Sequence, residues 1–231
     1  MDSELILTIL VLVSGLYMAW NIGANDVANA MGTSVGSGVL NLRNAVIIAA
    51  VLEFSGAFFF GSHVSQTVQE GIVNPFVFQD VPMDFVLGML STLLASGLWL
   101  QLASYYGWPV STTHTIVGAI VGFGLVIGGP DAIYWENVAW IFSSWILSPI
   151  MGGVLGFLIF SLLRKKIFYA QCPVEATKKL APYIVFVFTS VVSILLLFNG
   201  LKNVSIDLSF NKALLYSVML GLVTSLISTF F

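Results

Sequence analysis

Residues 5–30, LILTILVLVSGLYMAWNIGANDVANA, set an Asn-Asp pair at 25–26 and a second Asn at 29 behind an almost wholly apolar run. A membrane-crossing helix needs roughly 20 apolar residues, and Leu5 to Trp20 leads straight into the polar cluster. An ionised Asp deep in a bilayer costs about 3 kcal/mol or more even on the lenient insertion scale. Such a residue persists where a bound ion or a polar pathway offsets that cost. The stretch therefore implies helices embedded in lipid, one of which carries a charged site of the kind a membrane transporter uses.

Composition agrees. Hydrophobic residues make up 58% of the 231-residue chain and charged residues 8%, against about 25% charged in a soluble domain. The mean hydropathy is +0.99. With so few charges, the net charge of -3 says little about partners, and no basic patch for nucleic acid is present. The single cysteine, Cys172, excludes an intrachain disulfide and a Cys-based metal cluster. The N-terminal Met1-Asp2-Ser3-Glu4 lacks the positive start of a signal peptide, so the first apolar segment is expected to be retained.

Seven apolar segments are candidate spans: Leu5–Trp20, Ala45–Gly61, Phe85–Tyr106, Thr113–Ile127, Val138–Leu163, Tyr183–Leu201 and Ala213–Phe231. The fourth is short and follows a Pro, so it is either half of a re-entrant hairpin or joins its neighbours to span. The expected fold is all-α: a polytopic transmembrane helical bundle with broken or re-entrant half-helices. Residues 1–231 read as a single transmembrane domain, with 164–179 as a polar cytoplasmic loop. Arg43, Arg164, Lys165, Lys166, Lys178 and Lys179 mark the cytoplasmic loops by the positive-inside rule. If all seven segments cross, the N-terminus is outside, although Lys202 and Lys212 then fall outside too. The chain stops within an apolar run at Ser228-Thr229-Phe230-Phe231, which leads us to expect the first part of a longer protein.

Four groups carry the chemistry. In the first, Asn25 and Asn29 share a helix face with Asp26 adjacent. Ala24 and Ala28 would admit a neighbouring helix, and Gly23 permits a break just before Asn25. Freed backbone groups, a carboxylate and amide oxygens suit a hard cation such as sodium. The plainer reading is a polar knot between two helices. In the second group, Pro109-Val110-Ser111-Thr112-Thr113-His114, the proline tolerates only a helix start and Ser111 or Thr112 would cap it. First-turn amides and the helix dipole then make an anion site, with three consecutive hydroxyls as extra donors. The alternative is a capped helix whose hydroxyls bond back to its own carbonyls. The third is Glu53, an acid in the middle of the second span, expected to face the protein interior. The fourth is His114, structural or proton-carrying. Weaker signals are a return turn over Gly32–Gly38, an interfacial His63 with Gln66, and a glycosylation pattern at Asn203-Val204-Ser205.

Gly23-Ala24-Asn25-Asp26-Val27-Ala28-Asn29-Ala30 closely resembles the signature of the inorganic phosphate transporter family, the sodium- or proton-coupled phosphate symporters. Pro109 to His114 resembles that family's second motif, and Glu53 its intramembrane acid. The resemblance implies two inverted halves, each carrying one set of motifs. Only one set is found here, so the chain is expected to be the N-terminal repeat, its other half attached or supplied as a separate chain. It further implies phosphate at the interface of the halves near the bilayer midplane, held by Asn25, Asp26, Ser111, Thr112 and Thr113. Sodium would sit at Asp26, Asn29 and Glu53. No cofactor is expected beyond coupling ions. The expected setting is a homo-oligomer in the cell membrane, multi-pass, with no enzymatic activity.

The physics of coupling stands apart from the resemblance. Phosphate carries roughly -1.5 charge at neutral pH, which Asp26 and Glu53 would repel unless cations accompany it. Each ligand then raises the affinity for the other. Three alternatives stay open: another oxyanion such as sulfate, an intramembrane enzyme using Asp26, Glu53 and His114, and a passive anion channel. The sequence admits both sodium and proton coupling, and the acid-plus-amide cluster favours phosphate import by sodium symport.

Overall fold

The computed structural model describes residues 3–198 and 208–230, without the side chains of 62–70. The glycosylation pattern at Asn203-Val204-Ser205 and Lys202 lie outside the described residues, as do the side chains of His63 and Gln66. The described chain is helical: α1 (Ser3–Gly36), α2 (Leu42–Gly71), α3 (Pro82–Tyr106), α4 (Thr112–Phe123), α5 (Trp135–Leu163), α6 (Pro173–Phe198) and α7 (Phe210–Ser228). Among the described residues, six helices are long and apolar enough to cross a membrane. Apolar side chains cover most of their outer faces, as lipid-facing helices require.

The fourth candidate segment, open in the sequence between half of a re-entrant hairpin and a span, falls short of a span on length. α4 continues as a single π-helical turn over Gly124–Gly128, and Thr112–Gly128 is too short for a standard span. At 1.5 Å per residue it reaches about 25 Å, short of a ~30 Å hydrocarbon core. It packs beside α3 as the second arm of a helical hairpin. Gly23 does not break α1, which runs unbroken for 34 residues. A glycine inside a helix costs only about 1 kcal/mol relative to Ala, whereas breaking the backbone ladder in lipid leaves unpaired polar groups at several kcal/mol each. The return turn is correspondingly shorter than expected. The helix holds through Gly36, and only Gly38 takes a left-handed conformation, φ 78°. Much of the basic stretch 164–179 is also helical. Arg164–Phe168 forms a π-helical turn and Pro173 opens α6, leaving four residues between them.

The chain divides into two compact units. Unit 1 comprises residues 1–55 and 64–140; unit 2 comprises residues 56–63 and 141–231. In unit 1, α1 packs on α3 and α3 on α4. One end is closed by a short antiparallel pairing of Val73 with Ile133. Asn74 N donates to Ala132 O at 2.8 Å, and Tyr134 N to Ile72 O at 3.0 Å. Behind this pairing Phe78 stacks on Phe123, ring centroids 5.4 Å apart, with Phe85 edge-on. A Cβ added at Gly88 would stand 1.9 Å from the Phe123 ring, so only glycine lets α4 lie this close to α3. In unit 2, α6 and α7 pair across Gly221, whose missing side chain admits the Phe186 carbonyl.

Candidate functional site

The site is built where α1 meets the turn between α3 and α4, all within unit 1. α3 ends on Gly107, left-handed at φ 68°, which reverses the chain without the strain a side chain would bring. Trp108-Pro109-Val110 follows, and Ser111 caps α4 by accepting the His114 backbone N–H at 3.3 Å. Of the two capping residues the sequence allowed, Ser111 takes the role. The cap leaves the Thr112 and Thr113 amides in the first helical turn, where backbone N–H groups have no partner inside the helix. The Thr113 and His114 side chains are exposed.

α1 brings its polar stripe to this turn. Asn25 is buried, only 4% exposed. Its side-chain amide donates to the Trp108 carbonyl at 3.3 Å and to Ser104 Oγ at 3.4 Å. Its own Oδ1 accepts from Asn29 Nδ2 at 3.0 Å. The shared helix face inferred from the four-residue spacing is thus an actual hydrogen bond. Next along the chain, Asp26 Oδ2 accepts from the Thr112 hydroxyl at 3.2 Å. An acidic side chain of the first motif therefore touches the first residue of the second motif's helix, 86 positions on.

Glu53 on α2 comes to the same region of α1. Its Oε2 lies 3.9 Å from the position a Cβ on Gly23 would occupy, but the residue is exposed within unit 1 and not turned into its interior as expected. Gly23 therefore lies beside a carboxylate, within an unbroken helix. Ala24 and Ala28, expected to admit a neighbouring helix, are exposed within the unit. The close approach falls instead at Gly97 of α3, where a Cβ would lie 2.6 Å from the Tyr17 ring.

The electrostatics of the site follow from a census of cations. Of the eight Lys and Arg residues in the chain, only Arg43 belongs to unit 1. It precedes Glu53 by ten positions on α2, about 15 Å at the helical rise. Two carboxylates thus share a small volume without a nearby Lys or Arg of their own unit. Among the described residues no group of three His, Cys, Asp or Glu side chains forms a transition-metal site. A pair of carboxylates with amide and hydroxyl oxygens is instead suited to a hard cation.

Several residues of this region were not singled out from the sequence. The Tyr17 hydroxyl bonds Gln101 Oε1, and Asn21 Nδ2 bonds the Tyr17 carbonyl at 2.8 Å. With the Asn25–Ser104 contact, these bonds run up one side of α1 and show that α1 and α3 lie parallel. A groove of about 660 Å³ opens beside them, walled in part by Tyr17, Asn21, Gln101 and Ser104. The stripe Tyr17, Asn21, Asn25, Asn29, four apart throughout, is the signal that could have found them.

Comparison with known proteins identifies the family and the fold. Residues 22–226 match the phosphate transporter family. The chain is 57% identical over 176 residues to the inorganic phosphate transporter 2-1, chloroplastic, of Arabidopsis thaliana, covering 76% of this chain and 30% of that protein. It is 43% identical to a putative phosphate permease of Haemophilus influenzae, covering 91% of this chain and 50% of that one. A solved structure described as the sodium-dependent phosphate transporter superposes with a TM-score of 0.89 at 37% identity, covering 97% of this chain and 54% of that chain. The chain spans half the length, or less, of these curated relatives. The relatives are named as transporters and permeases, not as enzymes, and the six long apolar helices make this a multi-pass membrane protein. By its motifs, its helical fold and these matches, the chain belongs to the phosphate transporter family.

Proposed function

We propose that the protein imports inorganic phosphate by symport with sodium, through an alternating-access cycle. The observation that carries the reading is the hydrogen bond from Thr112 to Asp26. It sets a cation-binding carboxylate against the first turn of α4, where an anion is favoured by free amides and by the helix dipole. Phosphate is held by the Thr112 and Thr113 amides and by the hydroxyls of Ser111, Thr112 and Thr113, with Asn25 and Asp26 closing one side. Asp26 also accepts a hydrogen bond from protonated phosphate, which sulfate cannot offer. Sodium is held by Asp26, Asn29 and Glu53. His114, at the third residue of α4, has a structural or proton-carrying part. A second half, on the same or a separate chain, completes the shell, and the transporter works as a homo-oligomer.

The coupling is electrostatic. Two carboxylates and a phosphate of roughly -1.5 charge repel one another, and sodium relieves that repulsion. Each ion raises the affinity for the other by the same factor. Only the loaded or the empty site crosses the membrane at low cost, by rocking of one repeat against the other. The superposed transporter is described as sodium-dependent, which supports sodium as the coupling ion.

The test is radiolabelled phosphate uptake into vesicles carrying the native gene product, with and without an inward sodium gradient at fixed pH. Uptake that follows sodium is the expected result. Uptake that ignores sodium and follows a pH gradient moves the coupling to protons. Absence of phosphate uptake under both gradients overturns the substrate and directs the search to sulfate.

A further inference from the structure

Asn25 has one side-chain amide and two neighbours that draw on it. Gly107 N and Trp108 N close the end of α3 on the carbonyls of Ser104 and Ala103, at 3.2 and 2.8 Å. The next residue, Pro109, has no amide hydrogen and biases Trp108 to an extended backbone. The Trp108 carbonyl therefore points out of both helices and needs a donor from elsewhere. Asn25 Nδ2 supplies it at 3.3 Å. The other hydrogen of the same amide is directed to Ser104 Oγ at 3.4 Å, and Asn25 Oδ1 accepts from Asn29. Both donors of this buried side chain are thus engaged by protein. One residue on, Asp26 holds Thr112. Consecutive residues of α1 therefore grip the two ends of the Trp108–Thr112 turn.

We propose that Ser104 is a positioning residue: acting through Asn25, it fixes the Trp108–Val110 turn and so the direction in which the first-turn amides of α4 point. Ser104 acts only through Asn25, which links α1 to the turn as well as bordering the phosphate site. The proposal rests on the transport reading for its uptake assay but also has a readout independent of transport.

That readout is thiol labelling. With the single native cysteine removed by Cys172→Ser, a Val110→Cys substitution reports the freedom of the turn through its rate of reaction with a maleimide. Ser104→Ala is expected to raise that rate about fivefold, the effect of losing one hydrogen bond. Ser104→Thr, which keeps the hydroxyl, is expected to restore the original rate. In phosphate uptake by the native gene product, Ser104→Ala is expected to raise KM about fivefold with Vmax little changed. The Asn25→Ala, Ser104→Ala double variant is expected to lose no more than Asn25→Ala alone, because the two act as one link. Unchanged labelling in Ser104→Ala, or additive losses in the double variant, would overturn the proposal. If the unsubstituted protein takes up no phosphate, the transport reading fails, while the labelling result still decides whether Ser104 holds the turn.

Discussion

In unit 1 the α1–α3 contact sets Gly97 against the Tyr17 ring, and in unit 2 the α6–α7 contact sets Gly221 against Phe186 and Ser190. Both answer the same problem. Lipid tails are as apolar as the helices, so association depends on close packing, and small residues at the contact allow it. Beyond the glycine the two contacts part. In unit 2 the hydroxyls mostly turn back on their own helices: Ser217 Oγ donates to Ala213 O at 2.7 Å and Thr224 Oγ1 to Leu220 O at 3.0 Å. One crosses, Ser225 Oγ to Pro182 O at 2.8 Å. In unit 1 the polar groups reach across the contact: Tyr17 to Gln101, Asn25 to Ser104 and the Trp108 carbonyl, Thr112 to Asp26. A contact of the first kind joins two helices. A contact of the second kind also fixes their register, and it leaves carboxylates beside a helix N-terminus.

Polar substitutions in unit 1 should accordingly act on transport, and matched ones in unit 2 on stability alone. The largest effect is expected from Asp26→Asn, which should lower sodium-stimulated phosphate uptake on the order of 100-fold, as truncating a desolvated charge partner does. Ser217→Ala in unit 2 should stay within about twofold. Loss of uptake from both, measured at equal amounts of folded protein, would erase the contrast between the units.

Next come the glycines. Gly97→Ala and Gly221→Ala should each destabilise by about 1–3 kcal/mol, the usual cost of overpacking, read as a lower thermal midpoint in detergent. At Gly221 the added Cβ meets the Phe186 backbone oxygen at 3.0 Å, which cannot swing away. Only Gly97→Ala should also raise the KM for phosphate, because it displaces Tyr17 from the α1–α3 contact. An equal KM shift in both would remove the distinction between the units.

A smaller effect is expected from Thr113→Val, which removes one hydroxyl donor while keeping the side-chain shape. The KM for phosphate should rise about fivefold, with sodium dependence intact. The smallest belongs to Gly23→Ala. Its Cβ would meet Glu53 Oε2 at 3.9 Å, an ordinary contact, and helix propensity improves by about 1 kcal/mol. Thermal midpoint and uptake should barely move, whereas a large loss would mean that α1 must open at Gly23 during the cycle.

Much of the helical architecture was legible because lipid imposes a simple rule on sequence. The apolar runs, the Pro109 boundary and the cap at Ser111 or Thr112 each have a local cause. The residues at 25, 26, 29, 53 and 111–114 stood out as polar groups in apolar surroundings. The partners of those residues did not. Ser104 is an ordinary serine in an apolar helix, and the Trp108 carbonyl is main chain, which no residue pattern marks. Their contacts to Asn25 span 79 and 83 positions, a separation at which local propensity carries no information. Gly23 misled for another reason. Its conformational freedom suggested a break, but the helix runs on through it, because a broken ladder in lipid costs more than a glycine in a helix.

Everything proposed for transport turns on Asp26 linking sodium to phosphate at the start of α4. Its most direct test is the dissociation constant of phosphate for the native gene product, measured with and without sodium, beside the same pair of values for Asp26→Asn. Sodium should tighten phosphate binding in the unsubstituted protein and have no effect in the variant. An equal tightening in both, or none in either, would contradict the link.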